Sequence, residues 1–258
     1  MIKPIILIPT YNEAEAILGL LSELELLHRK MDFDVLVIDD NSPDGTADLV
    51  DSYDYPFVDI LHREAKAGLG AAYRAGISNV LASENYSHVI TMDGDGSHQV
   101  SDLESILGTE HPSNISLTLG TRWISGGSVV NWPLHRRILS KGGTAFARAA
   151  LGIPLADLTG GFRAYSVPLL RRLNFESINS TGYCFQIEMV MASVAAGASV
   201  IEVPITFIER VNGVSKMSRT IVFEALKQTT IWGLQRKLGR SADKLQYRNQ
   251  RTRVYRGD

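Results

Sequence analysis

Short apolar runs alternate with segments of helical periodicity through the first half of the chain. The strand-like runs lie at residues 5–8, 35–38, 58–61, 89–92 and 116–119. Between most of them, residues 13–28, 46–52, 69–81 and 101–107 carry apolar positions at helical spacing or residues that start helices. This alternation predicts βαβ units and an α/β domain with a mainly parallel sheet flanked by helices.

In the second half of the chain the alternation of strand-like and helix-like segments is less regular. Residues 139–151 and 183–196 are predicted to be helical, and 201–208 to form a strand. Domain limits follow from this pattern: one domain over 1–218, an amphipathic helix over 219–237 suited to a membrane surface, and a basic tail over 238–258. The tail is poor in aliphatic residues, so we expect it to be mobile or ordered by a partner.

Charge is distributed unevenly, although the net charge is only −2. Residues 1–110 carry 6 basic and 20 acidic side chains, whereas residues 111–258 carry 20 basic and 8 acidic ones. The late cations are either scattered solvated charges or a surface for phosphates and anionic membranes. A composition of 45% apolar and 21% charged residues excludes the disordered and fibrous classes.

Compartment and membrane contact are predicted from what the sequence lacks. Cys184 is the single cysteine, which excludes an internal disulfide and favours a reducing cytoplasm. We find no export signal and no apolar stretch of the ~18 residues that a spanning helix needs. The expected location is therefore cytoplasmic, with any membrane contact peripheral, through Trp132 and its neighbouring cations or through residues 221–234.

Polar clusters follow three of the predicted strands directly. They are PTYNE at 9–13, DDNSPDGT at 39–46 and MDGDGSH at 92–98. Ligands of parallel α/β sheets bind beyond the carboxyl ends of the strands. The three clusters are therefore predicted to share one site.

The cluster at 92–98 has the chemistry of a divalent-cation site. Asp93 and Asp95 flank one small residue, and Mg²⁺ takes oxygen ligands that bridge protein carboxylates to substrate phosphates. Ser97 or His98 would complete the shell, and Ser97 is alternatively the cap of the following helix. A solvated Asp/Gly turn is the simpler alternative.

The other two clusters each allow a structural explanation beside a functional one. Tyr11 is placed to stack on a nucleobase, yet Asn12 is also a good helix cap. Asp39 or Asp40 is placed to recognise a base or ribose, whereas Asp44 belongs to a favourable Ser-Pro-Asp-Gly turn.

In their order and spacing the three clusters resemble glycosyltransferase family 2 and its GT-A (Rossmann-like) fold. Later segments are similar to those of polyprenol (dolichol) phosphate mannose synthases, so that the resemblance covers about residues 2 to 220. These segments are GTR at 120–122, LTGGFR at 158–163, GYCFQIE at 182–188 and RVNGVSK at 210–216. The family carries an Asp at Asp157, for which the sequence also allows a turn role.

The resemblance implies an inverting transfer of mannose from GDP-mannose to a polyprenyl phosphate lipid, with Mg²⁺ or Mn²⁺ as cofactor and peripheral membrane contact, directly or through an integral-membrane partner. The implied nucleotide-sugar contacts are Pro9, Tyr11, Glu13, Ile38, Asp40, Asp93, Gly94, Asp95, Arg122, Gln186, Arg210 and Lys216. The implied metal ligands are Asp93, Asp95 and Ser97. The implied acceptor-phosphate residues are Arg122, Arg136 and Arg137. The implied catalytic residues are Asp95, Arg122, Arg136, Arg210 and Lys216.

The phosphate-binding role of these cations also makes chemical sense apart from the resemblance, because Arg and Lys stabilise the charge of a diphosphate leaving group and an acceptor phosphate. Gly94 and Gly96 depart from the Ala and Leu usual in the family, which predicts a more flexible metal loop. Two alternatives stay open: transfer of another sugar, such as glucose from a UDP donor, and a non-catalytic nucleotide-sugar-binding module. A dehydrogenase is excluded because no G-x-G-x-x-G follows the first strand, and nucleic-acid binding has only the basic tail in its favour.

Overall fold

The computed structural model describes residues 2–178, 180, 182–209, 219–238 and 254–256. The strands are β1 Lys3–Thr10, β2 Asp34–Asp39, β3 Val58–His62, β4 Tyr86–Thr91, β5 Ser116–Thr121, β6 Ser128–Val130, β7 Arg163–Ser166, β8 Ser199–Pro204, β9 Thr206–Ile208 and β10 Val254–Arg256. The helices are α1 Ala14–His28, α2 Thr46–Asp51, α3 Leu69–Leu81, α4 Asp102–Leu107, α5 Leu134–Leu151, α6 Val167–Leu170, α7 Gly182–Ala195 and α8 Arg219–Leu238. A single 3₁₀ turn spans Phe175–Ser177.

Eight of these strands form one sheet in the order β10-β8-β5-β7-β4-β1-β2-β3. All neighbours are parallel except β7, which lies antiparallel between β4 and β5. Two apolar clusters cover the two faces of the sheet, one including residues of α3, α5 and α7 and the other residues of α1, α2 and α4. The predicted α/β class with a mainly parallel sheet is confirmed.

The strand order changes direction at β1, which has β2 on one side and β4 on the other. Chain connections leave the sheet to opposite sides at such a point and open a crevice beyond the strand ends. Residues 9–13 follow β1 and residues 92–98 follow β4. The fold thus places these two predicted clusters at the two edges of one crevice.

The predicted strand at 201–208 is wrong in one respect. It is divided at Pro204 into β8 of the large sheet and β9, which pairs with β6 in a separate two-stranded sheet. Apolar residues alternate with Glu202, Pro204 and Thr206 through the whole segment, so its periodicity does not reveal the break. This division brings β9 to the site, because His98 forms an isolated bridge with Phe207.

The helix predicted within 219–237 is present as α8, which packs against α5 and α7. In the described part of the chain no helix combines the length and apolar character needed to cross a bilayer. Of the basic segment 238–258, the structure describes Leu238 and β10, which pairs in parallel with β8. The rest of the predicted tail lies outside the described residues.

Helices α5 and α8 approach closely at Gly233. A Cβ added there would lie 2.8 Å from the main-chain oxygen of Ala150. We expect Gly233→Ala to lower the free energy of unfolding by about 1–3 kcal/mol because the backbones must separate. Gly19→Ala in α1 is the matched control, since no atom lies within 4 Å of its added Cβ. Chemical denaturation should show the control unchanged or slightly stabilised, and an equal effect of both variants would contradict the close packing.

Candidate active site

The loop after β2 caps the first helix. The capping position of α1 is Glu13 rather than Asn12, so the alternative that Asn12 is the cap is wrong. Side chains of the loop accept the N–H groups at the start of the helix instead. They join Asn12 N to Ser42 Oγ at 3.1 Å, Glu13 N to Thr46 Oγ1 at 3.0 Å, and Ala14 N to Asp44 Oδ2 at 3.1 Å. The structural role predicted for Asp44 is confirmed by these contacts.

Asp39 and Asp40 have different surroundings. Asp39 is buried and accepts hydrogen bonds from Thr10 Oγ1 at 2.9 Å and from the hydroxyl and amide of Ser42. Asp40, the predicted nucleotide contact, is buried and paired with Arg63. Asp39 therefore serves the local structure, and Asp40 is the carboxylate held by a cation at the strand end.

Predicted nucleotide contacts lie side by side at the ends of β1 and β2. Pro9 is in register with Ile38, and both strands are parallel. The ring of Tyr11, just beyond β1, lies 3.8 Å from Nζ of Lys66. Sequence reasoning missed Arg63 and Lys66, which are drawn to the site by contacts across 23 and 55 residues.

Two glycines shape the acidic turn after β4. A Cβ at Gly94 would lie 3.2 Å from side-chain carbons of Ile8 and Thr10, so the turn packs tightly against β1. Gly96 has a φ of +73°, a conformation that side chains rarely adopt. The close contacts at Gly94 and the positive φ at Gly96 therefore explain why glycine occupies both positions, where the family usually has Ala and Leu. Asp95 Oδ1 accepts from the N–H of Ser97 at 3.1 Å, which stabilises the turn.

The capping position of α4 is Ser101, so the alternative that Ser97 caps this helix is wrong. Ser97 Oγ is buried and has no hydrogen-bond partner among the described residues. The same holds for both amide atoms of Gln186, a residue that is 2% exposed. A Cβ built on Gly161 would lie 3.4 Å from Gln186 Nε2 and 3.4 Å from Asp93 Oδ1. The amide of Gln186, which has no partner among the described residues, thus lies with the predicted metal ligand Asp93 around Gly161.

His98 is buried directly behind this turn, and its Nδ1 lies 3.0 Å from the main-chain nitrogen of Asp93. Burial lowers the pKa of His98, although the carboxylates of Asp93 and Asp95 oppose that shift. The imidazole is therefore held neutral near pH 7.

A cavity of about 420 Å³ opens next to the acidic turn. Asp93, Arg122 and Arg136 lie in its wall, together with Gly160 and Gly161 of the predicted LTGGFR segment. The lining also includes apolar side chains of α5 and α8, which are Ile138, Leu139, Phe146, Ala225 and Leu226. Arg137, the second candidate for the acceptor phosphate, is not in the wall and donates to Val129 O at 3.0 Å.

Arg122 is positioned by a buried carboxylate. Its Nε lies 2.6 Å from Asp157 Oδ2, its Nη2 lies 2.9 Å from Asp157 Oδ1, and Nη2 also donates to Thr159 Oγ1. Burial alone would raise the pKa of Asp157, but the Arg122 guanidinium and the hydrogen bonds outweigh it and lower that pKa. The pair is therefore ionised, with the guanidinium held rigidly at the cavity wall.

Arg136 lies between a carboxylate and an aromatic ring. It forms an ion pair with Glu209, and its Cζ lies 4.2 Å from the centre of the Trp132 ring. Trp132 is buried against Phe207, so the prediction of Trp132 as an exposed membrane contact is wrong. Its ring instead supports the arginine predicted to hold the acceptor phosphate.

Glu188, at the end of the segment GYCFQIE, accepts a hydrogen bond from the main-chain N–H of Ser180 at 3.1 Å, which ties the start of α7 to the preceding loop. Arg210 and Lys216 lie outside the described residues, so their predicted roles are not placed. Nowhere in the described part of the chain do three His, Cys, Asp or Glu side chains gather closely enough to hold a metal ion by themselves.

Two curated proteins are similar to the chain over most of its length. It is 40% identical over 242 residues to polyprenol monophosphomannose synthase of Mycolicibacterium smegmatis, covering 93% of this chain and 90% of that protein. It is 44% identical over 230 residues to undecaprenyl-phosphate mannosyltransferase of Micrococcus luteus, covering 88% of this chain and 93% of that protein.

The fold is shared with a solved structure of more distant sequence. Glucosyl-3-phosphoglycerate synthase from Mycobacterium tuberculosis, crystallised with Mn²⁺, uridine diphosphate and phosphoglyceric acid, matches with a TM-score of 0.61 at 18% identity, covering 92% of this chain and 78% of that one. Such a match confirms the predicted GT-A fold. Residues 5–173 match glycosyl transferase family 2. The chain therefore belongs to this family and is a glycosyltransferase.

Proposed function

We propose that the chain transfers mannose from GDP-mannose to a polyprenyl phosphate lipid, with inversion at the anomeric carbon and with the help of Mg²⁺ or Mn²⁺. The observation that carries the proposal is one cavity whose lining combines Asp93, Arg122 and Arg136 with apolar side chains of α5 and α8. The activities named for the two similar proteins support the same acceptor class and sugar.

The donor nucleotide would lie over the ends of β1 and β2. Tyr11 offers a ring for stacking on the base, and Asp40, held by Arg63, offers carboxylate oxygens to base or ribose donors. Pro9 and Ile38 are in register there and form the floor between these polar groups. The diphosphate would then extend along the crevice towards the acidic turn.

The residues of the turn fit a hard divalent cation. Asp93 and Asp95 supply two carboxylates, and Ser97 Oγ has no other partner among the described residues. Two or three protein oxygens leave room for the diphosphate oxygens and waters that Mg²⁺ and Mn²⁺ retain. The bound ion would neutralise the charge that develops on the departing nucleoside diphosphate.

The acceptor phosphate would bind between Arg136 and Arg122. Both arginines line the cavity, and the apolar residues of the same lining would suit the first isoprene units of the lipid. Arg136 is paired with Glu209, so the acceptor phosphate would replace a carboxylate on this guanidinium. Arg137 would act outside the cavity, towards the mouth.

The reaction needs positioning and charge stabilisation more than a strong base. An acceptor phosphate oxygen, already anionic near pH 7, attacks the anomeric carbon of mannose, and the bond to the GDP β-phosphate breaks with its electron pair on GDP. Arg122, held by Asp157, cannot turn away from the reacting phosphates. Arg210 and Lys216, as predicted from the sequence, would add charge on the donor side. A single displacement from an α-linked donor gives a β-linked product.

A donor panel tests this proposal. The purified chain is incubated with Mn²⁺, polyprenyl phosphate and one of three donors: GDP-mannose, UDP-glucose or UDP-galactose. The lipid product is analysed by its mass and by the one-bond carbon–proton coupling constant at the anomeric centre. We expect a β-linked mannolipid from GDP-mannose alone. Product from UDP-glucose instead would replace the donor assignment, and no product from any donor would favour a non-catalytic module.

The membrane contact is proposed to be peripheral, on the cytoplasmic side, through neighbouring faces of α5 and α8. Leu134 and Ile138 of α5 are 72% and 62% exposed. Leu139, Phe146, Ile231, Leu234 and Leu238 are exposed apolar side chains of the same two helices. Exposed apolar groups beside Arg137, Lys141 and Lys227 suit an anionic lipid surface. Both helices also line the cavity, so a lipid acceptor would enter it from this face.

Flotation with liposomes containing anionic lipid tests the proposed membrane face. We expect the double variant Leu134→Glu, Ile138→Glu to lose at least ~10-fold in binding, since burial of each leucine-sized side chain is worth about 1.5–3 kcal/mol. Leu26→Glu is the matched control, because Leu26 is 60% exposed on α1, outside this face. Equal flotation of all three proteins would exclude α5 as the contact. The contact would then have to come from α8 or from an integral-membrane partner.

A further inference from the structure

His98 is enclosed between two aromatic rings behind the acidic turn. It is stacked on Phe162 with ring centres 4.8 Å apart and meets the edge of Phe207 at 5.4 Å. Its backbone bridges to Phe207, and its Cε1 lies 3.7 Å from the place where a Cβ of Gly161 would be. The imidazole is therefore fixed in orientation, and its two nitrogens have defined neighbours.

Both nitrogens face Asp93. Nδ1 lies 3.0 Å from the main-chain nitrogen of Asp93, and Nε2 lies 3.8 Å from its carboxylate oxygen Oδ2. A main-chain N–H only donates, so Nδ1 must be the accepting nitrogen and Nε2 must carry the proton. In this tautomer Nδ1 is already used and Nε2–H is a donor, which leaves no lone pair of the ring for a metal ion.

We infer that His98 is a positioning residue, which holds the main chain of Asp93 through Nδ1 and places its Nε2–H dipole 3.8 Å from the Asp93 carboxylate, where the attraction is electrostatic and not a hydrogen bond. This inference rests on the proposed function, in which Asp93 binds the divalent cation. The sequence allowed His98 as a direct ligand, and the geometry assigns it the place behind the ligand instead. Such outer partners orient ligating carboxylates and tune metal affinity.

The surrounding chain explains why the turn needs this support. Gly96 has a φ of +73° and no atom within 4 Å of an added Cβ, so no side chain restrains the turn directly after Asp95. Residues 97 and 98 are held from outside by β9, through the bond from Ile208 N to Ser97 O at 3.0 Å and the bridge to Phe207. His98 transfers that restraint to Asp93.

Three substitutions separate positioning from packing. His98→Phe keeps a ring between Phe162 and Phe207 but removes both nitrogens. His98→Asn keeps an acceptor near the position of Nδ1, and His98→Gln keeps a donor near the position of Nε2. His88→Phe is the matched control, a half-buried histidine of β4 that is hydrogen-bonded to Ser87 at 3.2 Å, away from the cavity wall.

The readouts are Mn²⁺ binding, followed by electron paramagnetic resonance of the free ion with GDP present, and thermal unfolding. We expect His98→Phe to weaken Mn²⁺ binding by about 10–100-fold. His98→Asn should recover part of this affinity, and the control His88→Phe should bind Mn²⁺ like the wild type. A folded His98→Phe protein with the Mn²⁺ affinity of the wild type would reduce His98 to a packing residue and overturn the inference.

A measurement on the unmodified protein decides the assignment even where a variant fails to fold. The ¹⁵N chemical shifts of the His98 imidazole should report a protonated Nε2 and an accepting Nδ1, and should keep that pattern when Mg²⁺ and GDP are added. A proton on Nδ1, or a shift of Nε2 that indicates direct ligation, would contradict the positioning role. Failure of the wild type to bind Mn²⁺ would count against the proposed function, whereas the nitrogen shifts would still decide the tautomer.

Discussion

Asp95→Ala is expected to lower mannolipid formation by about 10³-fold or more, because the cation would lose one of two carboxylate ligands next to the leaving group. The fold should remain, since Asp95 is half-buried in a turn and its hydrogen bond to Ser97 N is local. Turnover is measured against Mn²⁺ concentration, together with the melting temperature.

Two companions sharpen the Asp95 experiment. Asp95→Asn keeps a hydrogen-bond acceptor for Ser97 N but loses the charge, so it should fold like the wild type and still turn over poorly. Asp54→Ala removes an exposed carboxylate of the same charge from the loop after α2 and should leave turnover unchanged. Undiminished transfer by Asp95→Ala, at any Mn²⁺ concentration, would remove Asp95 from the metal site.

Asp157→Ala is expected to destabilise the protein by about 3–5 kcal/mol, because the Arg122 guanidinium would stay buried without its counter-charge. Asp157 is fully buried, and besides Arg122 it accepts from the N–H groups of Thr159 and Gly160. The double variant Asp157→Ala, Arg122→Met should lose less stability than the single one, since no unpaired charge remains. Urea denaturation of the wild type, the single variants Asp157→Ala and Arg122→Met, and the double variant gives the coupling energy.

The pH dependence of this loss has a definite sign. The pKa of Asp157 is lowered in the folded state, so its ionisation stabilises the fold above the ordinary Asp pKa of ~3.9, and that contribution disappears as the pH falls through the folded value. The stability difference between wild type and Asp157→Asn should therefore be constant near pH 7 and shrink below about pH 4. A difference that grows on acidification would contradict an ionised Asp157.

Most of the sheet was predictable because its strands alternate with helices of clear periodicity. The predicted helix at 69–81 coincides with α3, and the first five strands are found within a few residues of their predicted limits. The antiparallel strand β7 was not predicted, because four residues after a Gly-Gly pair carry too little pattern. The break after Pro204 was missed because the alternation of apolar residues continues through it.

The site was predictable only where local sequence carries the chemistry. The acidic turn follows a strand, so its position at the sheet edge is a consequence of the fold class. Pairings such as Arg63 with Asp40, Arg122 with Asp157 and Arg136 with Glu209 join residues 23 to 73 positions apart. Neither periodicity nor spacing encodes them. Trp132 shows the opposite error, because an aromatic residue beside cations suggested a lipid contact and is instead buried under one of those cations.

The ion pair between Arg136 and Glu209 has a consequence for the resting enzyme. A guanidinium that is largely withdrawn from water is costly to keep without an anion. In the proposed reaction Glu209 would supply that anion until the acceptor phosphate arrives, so that binding of the phosphate would exchange one negative partner of Arg136 for another. Anions that bind no better than a carboxylate would then be kept off this arginine, and a doubly hydrogen-bonding, more highly charged head group would gain by displacing Glu209.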